Sequence, residues 1–282
     1  MRYFHLVHCI PHPRMHGLNG YKEVIDTVSW GLEQLGHRVT YSVNGIATEA
    51  TNIVFGAQVM PVAALQQLPK GTIIYNFEQM RGVNQIREEL RYCATANHFE
   101  VWDYSKDNLP AWHALGRDPA KLVPVGYAPI LSRIPKAPLQ DIDVLIYGTT
   151  GQRRLELFHA LSHRGVTTLF VCGLYGAARD DLISRSKTIL NVNLYDASKI
   201  FEIVRVSYLL ANRKAVIAEI DSSTSIEPDM MSAVRLTSSD DTLDVCQRLI
   251  ENELERAALE EAGFAALSQR DIRPALEGAL SQ

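Results

Sequence analysis

The feature that most constrains this chain is one grammar used twice. Short apolar runs alternate with helical stretches, and a proline-rich segment interrupts them once. In the first half, Tyr3-Phe4-His5-Leu6-Val7 reads as a strand. Val24, Ile25, Val28, Leu32 and Leu35 then recur at helical spacing, Gly36 suits a helix C-cap, and Arg38–Val43 resumes as a strand. Further strands are expected at 52–56, 72–76, 100–103 and 122–125. Pro129, Pro135 and Pro138 fall within ten residues that carry neither period, which marks a linker over 128–141. The second half restarts with Asp143-Val144-Leu145-Ile146-Tyr147-Gly148 and a helix over 154–163. A strand at 167–173, a helix near 177–186, a strand at 188–192, a helix over 198–212 and a strand at 215–219 follow. The tail from Thr242 is almost wholly helical in pattern. Such alternation builds parallel sheets covered by helices. The expected class is α/β, with Rossmann-like domains at 1–127 and 142–282, and the 282 residues are about twice a usual ~150-residue domain.

Composition removes other classes. Hydrophobic residues are 46% and charged residues 21%, which is ordinary for a globular protein and excludes a disordered, collagen-like or coiled-coil chain. The formal charge is −4, from 28 basic and 32 acidic residues with no basic stripe, so general nucleic-acid binding is disfavoured. No apolar run approaches the ~20 residues that cross a bilayer, and the stretch MRYFHLVHCIPHP is too polar and proline-cut for a signal peptide. The four cysteines are scattered without a CxxC pair and read as reduced thiols. A cytoplasmic location is expected, with peripheral membrane association left open.

The common nucleotide and hydrolase fingerprints are missing. No GxGxxG follows either first strand, and neither GxxxxGK[ST] nor GxSxG occurs. Gly17-Leu18-Asn19-Gly20 and Gly148-Thr149-Thr150-Gly151 are only GxxG. Four other stretches, taken in order, carry a resemblance. They are Gly17 to Val39 with its Leu-Gly-His-Arg-Val ending, Lys121-Leu122-Val123-Pro124-Val125-Gly126-Tyr127, Leu210-Ala211-Asn212-Arg213-Lys214-Ala215-Val216-Ile217, and Glu260-Glu261-Ala262-Gly263-Phe264. Together they resemble the GT-B glycosyltransferases of the family 1 and family 4 type. The resemblance implies two Rossmann-like domains facing each other across a cleft, a nucleotide-sugar donor held mainly by the second domain, and an acceptor on the first. It implies no cofactor and no metal. Retaining members carry a pair of glutamates before the third stretch; here Phe201 and Tyr208 fall at those places, with Glu202 one residue off.

Ligands in such folds bind beyond the carboxyl ends of strands, and the candidate residues follow from that rule. Gly148, Thr149 and Thr150 end a strand just before a helix, where unpaired N–H groups and the helix dipole favour phosphate. Arg153 and Arg154 add permanent charge there, or are solvated arginines on a plain turn. Glu202 and Arg205 stand on a very apolar helix, as an intrahelical ion pair or as donor contacts to hydroxyls and phosphate. Asn193 and Tyr195 follow the preceding strand and would line the same pocket. On the acceptor side, His12, Asn19 and Gly20 lie in the loop after the first strand, with His16 a candidate catalytic residue. Glu78 follows the strand at 72–76 and is either a general base or a helix-start carboxylate. His8, His12 and His16 have helical spacing, but Pro11 and Pro13 break any helix there, so no metal site is read. The function expected is metal-independent sugar transfer from a nucleotide-sugar to an acceptor hydroxyl. Glycan, lipid, protein and nucleobase acceptors all remain open. The alternatives are a nucleotide-sugar epimerase of the same fold and a non-catalytic nucleotide- or glycan-binding module.

Overall fold

The computed structural model of the chain describes residues 1–10, 12–80, 90–116, 120–194 and 199–281, without the side chains of 13–16, 90 and 91. The chain divides into two compact units, Met1–Ala128 with Asp271–Gln282, and Pro129–Arg270.

The first unit holds β1 (Tyr3–His8), β2 (Arg38–Val43), β3 (Thr51–Phe55), β4 (Ile73–Asn76), β5 (Glu100–Asp103) and β6 (Lys121–Leu122) in one parallel sheet of order β2-β1-β3-β4-β5-β6. Its helices are α1 (Lys22–Gln34), α2 (Val62–Leu65), α3 (Leu90–His98) and α4 (Leu109–Ala114). The inner strands are continuous apolar runs because helices cover both faces of a parallel sheet: Phe4, Leu6, Ile53, Val54, Phe55, Ile73 and Ile74 are all buried. The edge strand β2 instead leaves Arg38, Tyr41 and Val43 exposed. Chain order reverses direction between β1 and β3, which opens a crevice at their carboxyl ends, His8 and Phe55.

The second unit repeats the plan. It holds β7 (Ile142–Tyr147), β8 (Thr168–Val171), β9 (Ser186–Val192), β10 (Ala215–Glu219) and β11 (Arg235–Thr237), all parallel, in the order β11-β10-β9-β7-β8. Around them lie α5 (Gln152–His163), α6 (Ala177–Arg185), α7 (Ile203–Ala211), α8 (Thr242–Glu251) and α9 (Glu253–Ser268). Val144, Ile146, Leu190, Val192, Ala215 and Ile217 from the sheet pack on Leu157 and Leu161 of α5, Cys246 and Leu249 of α8, and Leu259 of α9. The reversal here falls between β7 and β9, so the crevice lies beyond Tyr147 and Val192.

The structure differs from the sequence reading in five places. The strand expected at 122–125 is paired only over Lys121–Leu122. The helix expected from 198 begins at Ile203, because Ile200 bridges Ser225 and the Phe201 N–H donates to the Ser225 carbonyl in extended geometry. β11 was not expected. The proline-rich segment is docked on the second unit: the Arg133 and Ile134 N–H groups both donate to Asn212 Oδ1, and Ser132 Oγ donates to the Ala211 carbonyl. The last helix, α10 (Ile272–Ser281), belongs to the first unit, whereas the helical tail was expected to stay wholly with the second domain. Its reason is local packing. Ile272 and Leu276 meet the bare face of α1 at Gly31, Arg273 lies over Trp30, and Lys121 Nζ donates to the Ala279 carbonyl.

Gly263 in α9 tests the packing of the second unit. A Cβ there would lie 2.7 Å from both the Ala233 carbonyl oxygen and Leu210 Cδ2. Backbone cannot give way as a side-chain end can, so the clash outweighs the ~1 kcal/mol gain in helix propensity. Gly263→Ala is expected to lower stability by about 1–3 kcal/mol in a denaturant titration.

Candidate functional site

At the second unit's crevice, Gly148 directly follows β7 with φ +130°, a conformation that residues other than glycine rarely adopt. The absence of a Cβ also makes room. One built there would lie 3.0 Å from Arg154 Nη1 and 3.1 Å from Arg205 Nη2, so two guanidinium groups rest on this one α-carbon.

Arg154, in the first turn of α5, has a side chain only 1% exposed. Its Nε and Nη2 donate to the Val192 carbonyl, at 2.9 and 2.5 Å, and its Nη1 donates to the Thr149 carbonyl at 2.7 Å. It therefore straddles the point where the strand order reverses. Burial, with the neighbouring Arg205, pulls its pKa down to about 10, which still leaves it charged at neutral pH. Glu202, the residue before α7, sits between the two cations, with Oε2 2.9 Å from Arg205 Nη1 and Oε1 3.7 Å from Arg154 Nη2. Arg205 Nη1 also reaches Asn191 Oδ1 at 3.3 Å, and its guanidinium lies over the Tyr147 ring.

Two guanidinium groups against one carboxylate leave one net positive charge. The first turn of α5 contains no acidic residue, so the helix dipole adds to that charge. Arg205, partly exposed, is the member of the group that a ligand can reach. The arrangement is suited to hold an anion.

Arg153 and Arg154 part company on the helix. Arg153 makes a bidentate bond to Glu219 at the end of β10, at 2.8 and 2.6 Å, and donates to the Ser239 carbonyl. Glu219 in turn accepts from Thr242 Oγ1 at the start of α8. Neither arginine is a plain solvated group. Thr149 and Thr150 are exposed beside them, and Asn193 follows β9 as expected. Tyr195 lies outside the described residues. Phe201 and Tyr208, aligned with the family's glutamates, are both buried, and the Tyr208 hydroxyl donates to Asp180.

In the first unit, His8 is a pin that the sequence did not reveal. It is buried, and burial holds its pKa below the ordinary value. Nε2–H donates to the Leu18 carbonyl at 2.8 Å and Nδ1 accepts from the Tyr41 hydroxyl at 3.2 Å, which fixes the loop carrying Asn19 and Gly20 against β1. His12 is exposed in this loop, and the side chain of His16 lies outside the described residues. Glu78 stands just past β4, and its carboxylate accepts from the Tyr21 hydroxyl and from Gln58 Nε2, the latter at 2.9 Å. Behind it is a network that sequence reasoning missed. Asp103, at the end of β5 and fully buried, accepts from the Ser105 N–H and from Asn76, Asn108 and Trp112 at 2.7–2.9 Å. Burial pushes its carboxyl up to about 6 against the lowering effect of those donors, and because all four partners donate to it, the geometry is that of the carboxylate anion. Among the described residues, no three His, Cys, Asp or Glu side chains are grouped to hold a metal, and no helix is long and apolar enough to cross a membrane.

No protein-family model matches the chain, and a search of curated proteins finds no match. Solved structures do match. The Anabaena protein HepE, in complex with UDP and glucose, superposes with a TM-score of 0.62 over 100% of both chains at 13% identity. AviGT4, a glycosyltransferase of avilamycin A biosynthesis, gives 0.61 over 100% of this chain and 97% of its own at 15% identity. T4 phage BGT, in complex with its UDP-glucose substrate, gives 0.56 over 100% of both at 11%. These are GT-B glycosyltransferase structures. The chain has the GT-B fold. Its two parallel Rossmann-like sheets are those expected from the doubled βα pattern.

The two crevice arginines of this GT-B chain should separate in a stability measurement. Arg154→Ala removes the guanidinium donors to the Val192 and Thr149 carbonyls and leaves a cavity behind, and is expected to cost about 3–5 kcal/mol. Arg205→Ala breaks a partly exposed ion pair and is expected to cost at most about 1 kcal/mol. Denaturant titrations of the two variants check the difference.

Proposed function

We propose that this protein is a glycosyltransferase that moves a sugar from a nucleotide-sugar donor to an acceptor hydroxyl without a catalytic metal. The observation that carries the reading is the pair of guanidinium groups packed on Gly148 at the reversal point of the second sheet, sharing a single carboxylate. A diphosphate leaving group supplies the missing negative charge. Its phosphates would take the exposed side of Arg205 and the first turn of α5, while Arg154 holds the turn in shape and adds its field. The neighbours in complex with UDP or UDP-glucose support a donor of this class.

In the proposed step the acceptor oxygen attacks the anomeric carbon and the bond from that carbon to the diphosphate oxygen breaks. The electron pair leaves with the diphosphate, whose growing charge meets fixed cations. The acceptor proton goes to a base, and Glu78 is the carboxylate at a strand carboxyl end of the first unit that suits the task. Tyr21 and Gln58 orient it. Glu202 would exchange one of its guanidinium partners for a hydroxyl of the donor.

A turnover and binding screen across UDP-, GDP-, dTDP- and CMP-sugars tests the proposal, which fails if none binds or reacts. With the donor found, Arg205→Ala should weaken even the bare nucleoside diphosphate by one to two decades, about 1.5–3 kcal/mol. Glu78→Gln should leave donor affinity alone and lower transfer by about 10²–10⁴-fold. Isothermal titration beside initial-rate kinetics reads both.

A further inference from the structure

Asn76 and Asn108 are both bonded to Asp103 and to one short piece of backbone. Asn76 Nδ2 donates to Asp103 Oδ2 and to the Glu78 carbonyl, both at 2.8 Å. Asn108 Nδ2 donates to Asp103 Oδ1 and to the same Glu78 carbonyl, both at 2.9 Å. The amide oxygens face the other way. Asn76 Oδ1 accepts from the Glu78 N–H at 3.2 Å, and Asn108 Oδ1 accepts from the Met80 N–H at 2.8 Å. Each asparagine therefore has one hand on Asp103 and two on the segment Glu78–Met80.

We infer that Asp103 is a positioning residue for Glu78, acting through the side-chain amides of Asn76 and Asn108. The inference rests on the reading of Glu78 as the proton acceptor. An asparagine amide can flip, and flipping would set its NH2 against the backbone donors. The anion of Asp103 decides the orientation, because an amide oxygen turned toward it would meet like charge. Trp112 Nε1, at 2.7 Å, and the Ser105 N–H, at 2.8 Å, hold the carboxylate itself. The chain of control runs from indole to carboxylate to two amides to the backbone of the candidate base. Charge-assisted bonds of this kind are stronger than neutral ones and act here without competing water. A carboxylate needing only satisfaction could have taken other donors; these two amides spend every remaining hydrogen bond on one turn.

The experiment is amide hydrogen exchange on the intact protein, together with donor affinity and turnover, for Asp103→Asn and Trp112→Phe. In Asp103→Asn, the Glu78 and Met80 amides should exchange about tenfold or more faster, while those of β1 and β3 stay protected. Transfer should fall about tenfold with the donor dissociation constant unchanged. Trp112→Phe keeps an aromatic ring and loosens only the carboxylate, so it should show the same pattern more weakly, and it serves if Asp103→Asn does not fold. Unchanged protection at Glu78 and Met80 in the folded variants overturns the inference. Full turnover in Glu78→Gln would instead overturn the reading of Glu78 as base, and the exchange data would still show whether Asp103 holds the segment.

Discussion

Burying a guanidinium is costly unless every direction of its charge is met, and the second unit is arranged to meet those of Arg154. Carbonyls from the ends of two strands, Thr149 past β7 and Val192 of β9, accept its protons, and Glu202 supplies a counter-charge. Because the carbonyls come from both sides of the reversal in strand order, the arginine holds the crevice to one width. Gly148 is required twice over, for its positive φ and for the room its missing Cβ leaves. Arg205 then enters a place already positive and shares the one carboxylate. The charge imbalance that suits an anion follows from the packing.

The first unit carries the opposite sign in the same role. Asp103 is a buried anion at the carboxyl end of its sheet, satisfied by a backbone N–H, an indole and two amides. Through those amides it sets the turn after β4, as Arg154 sets the turn after β7. In each Rossmann-like sheet one buried ion converts regular strands into a fixed loop geometry, and the partly exposed groups, Arg205 and Glu78, are built on that loop.

The sheets were legible in the sequence because buried parallel strands are short continuous apolar runs and the helices between them carry a clear period. β1, β2, β5 and β10 fall at or within a residue of the expected places. β11 escaped notice because its three residues Arg-Leu-Thr carry no apolar run. The helical period of 272–281 was visible, but period does not say which partner a helix packs on, and α10 lies on α1. At the site, Gly148, Arg154, Glu202 and Arg205 were each marked for their place in the pattern, and the structure brings them together. Adjacent arginines could not be told apart, since only the turn of the helix sends Arg153 to Glu219 and Arg154 into the crevice. The Asp103 network left a weak signal, polar residues where buried strands end, that becomes meaningful only when β4 and β5 lie side by side.

The proposed role of the Gly148–Arg154–Glu202–Arg205 group is to take a diphosphate. Inorganic pyrophosphate tests it directly, whatever the nucleotide or sugar of the donor. Thermal unfolding followed across a pyrophosphate titration should show stabilisation of the wild-type protein that rises with concentration and is lost in Arg205→Ala, a variant expected to fold at a cost of at most about 1 kcal/mol. Equal stabilisation of both proteins, or of neither, would contradict the account.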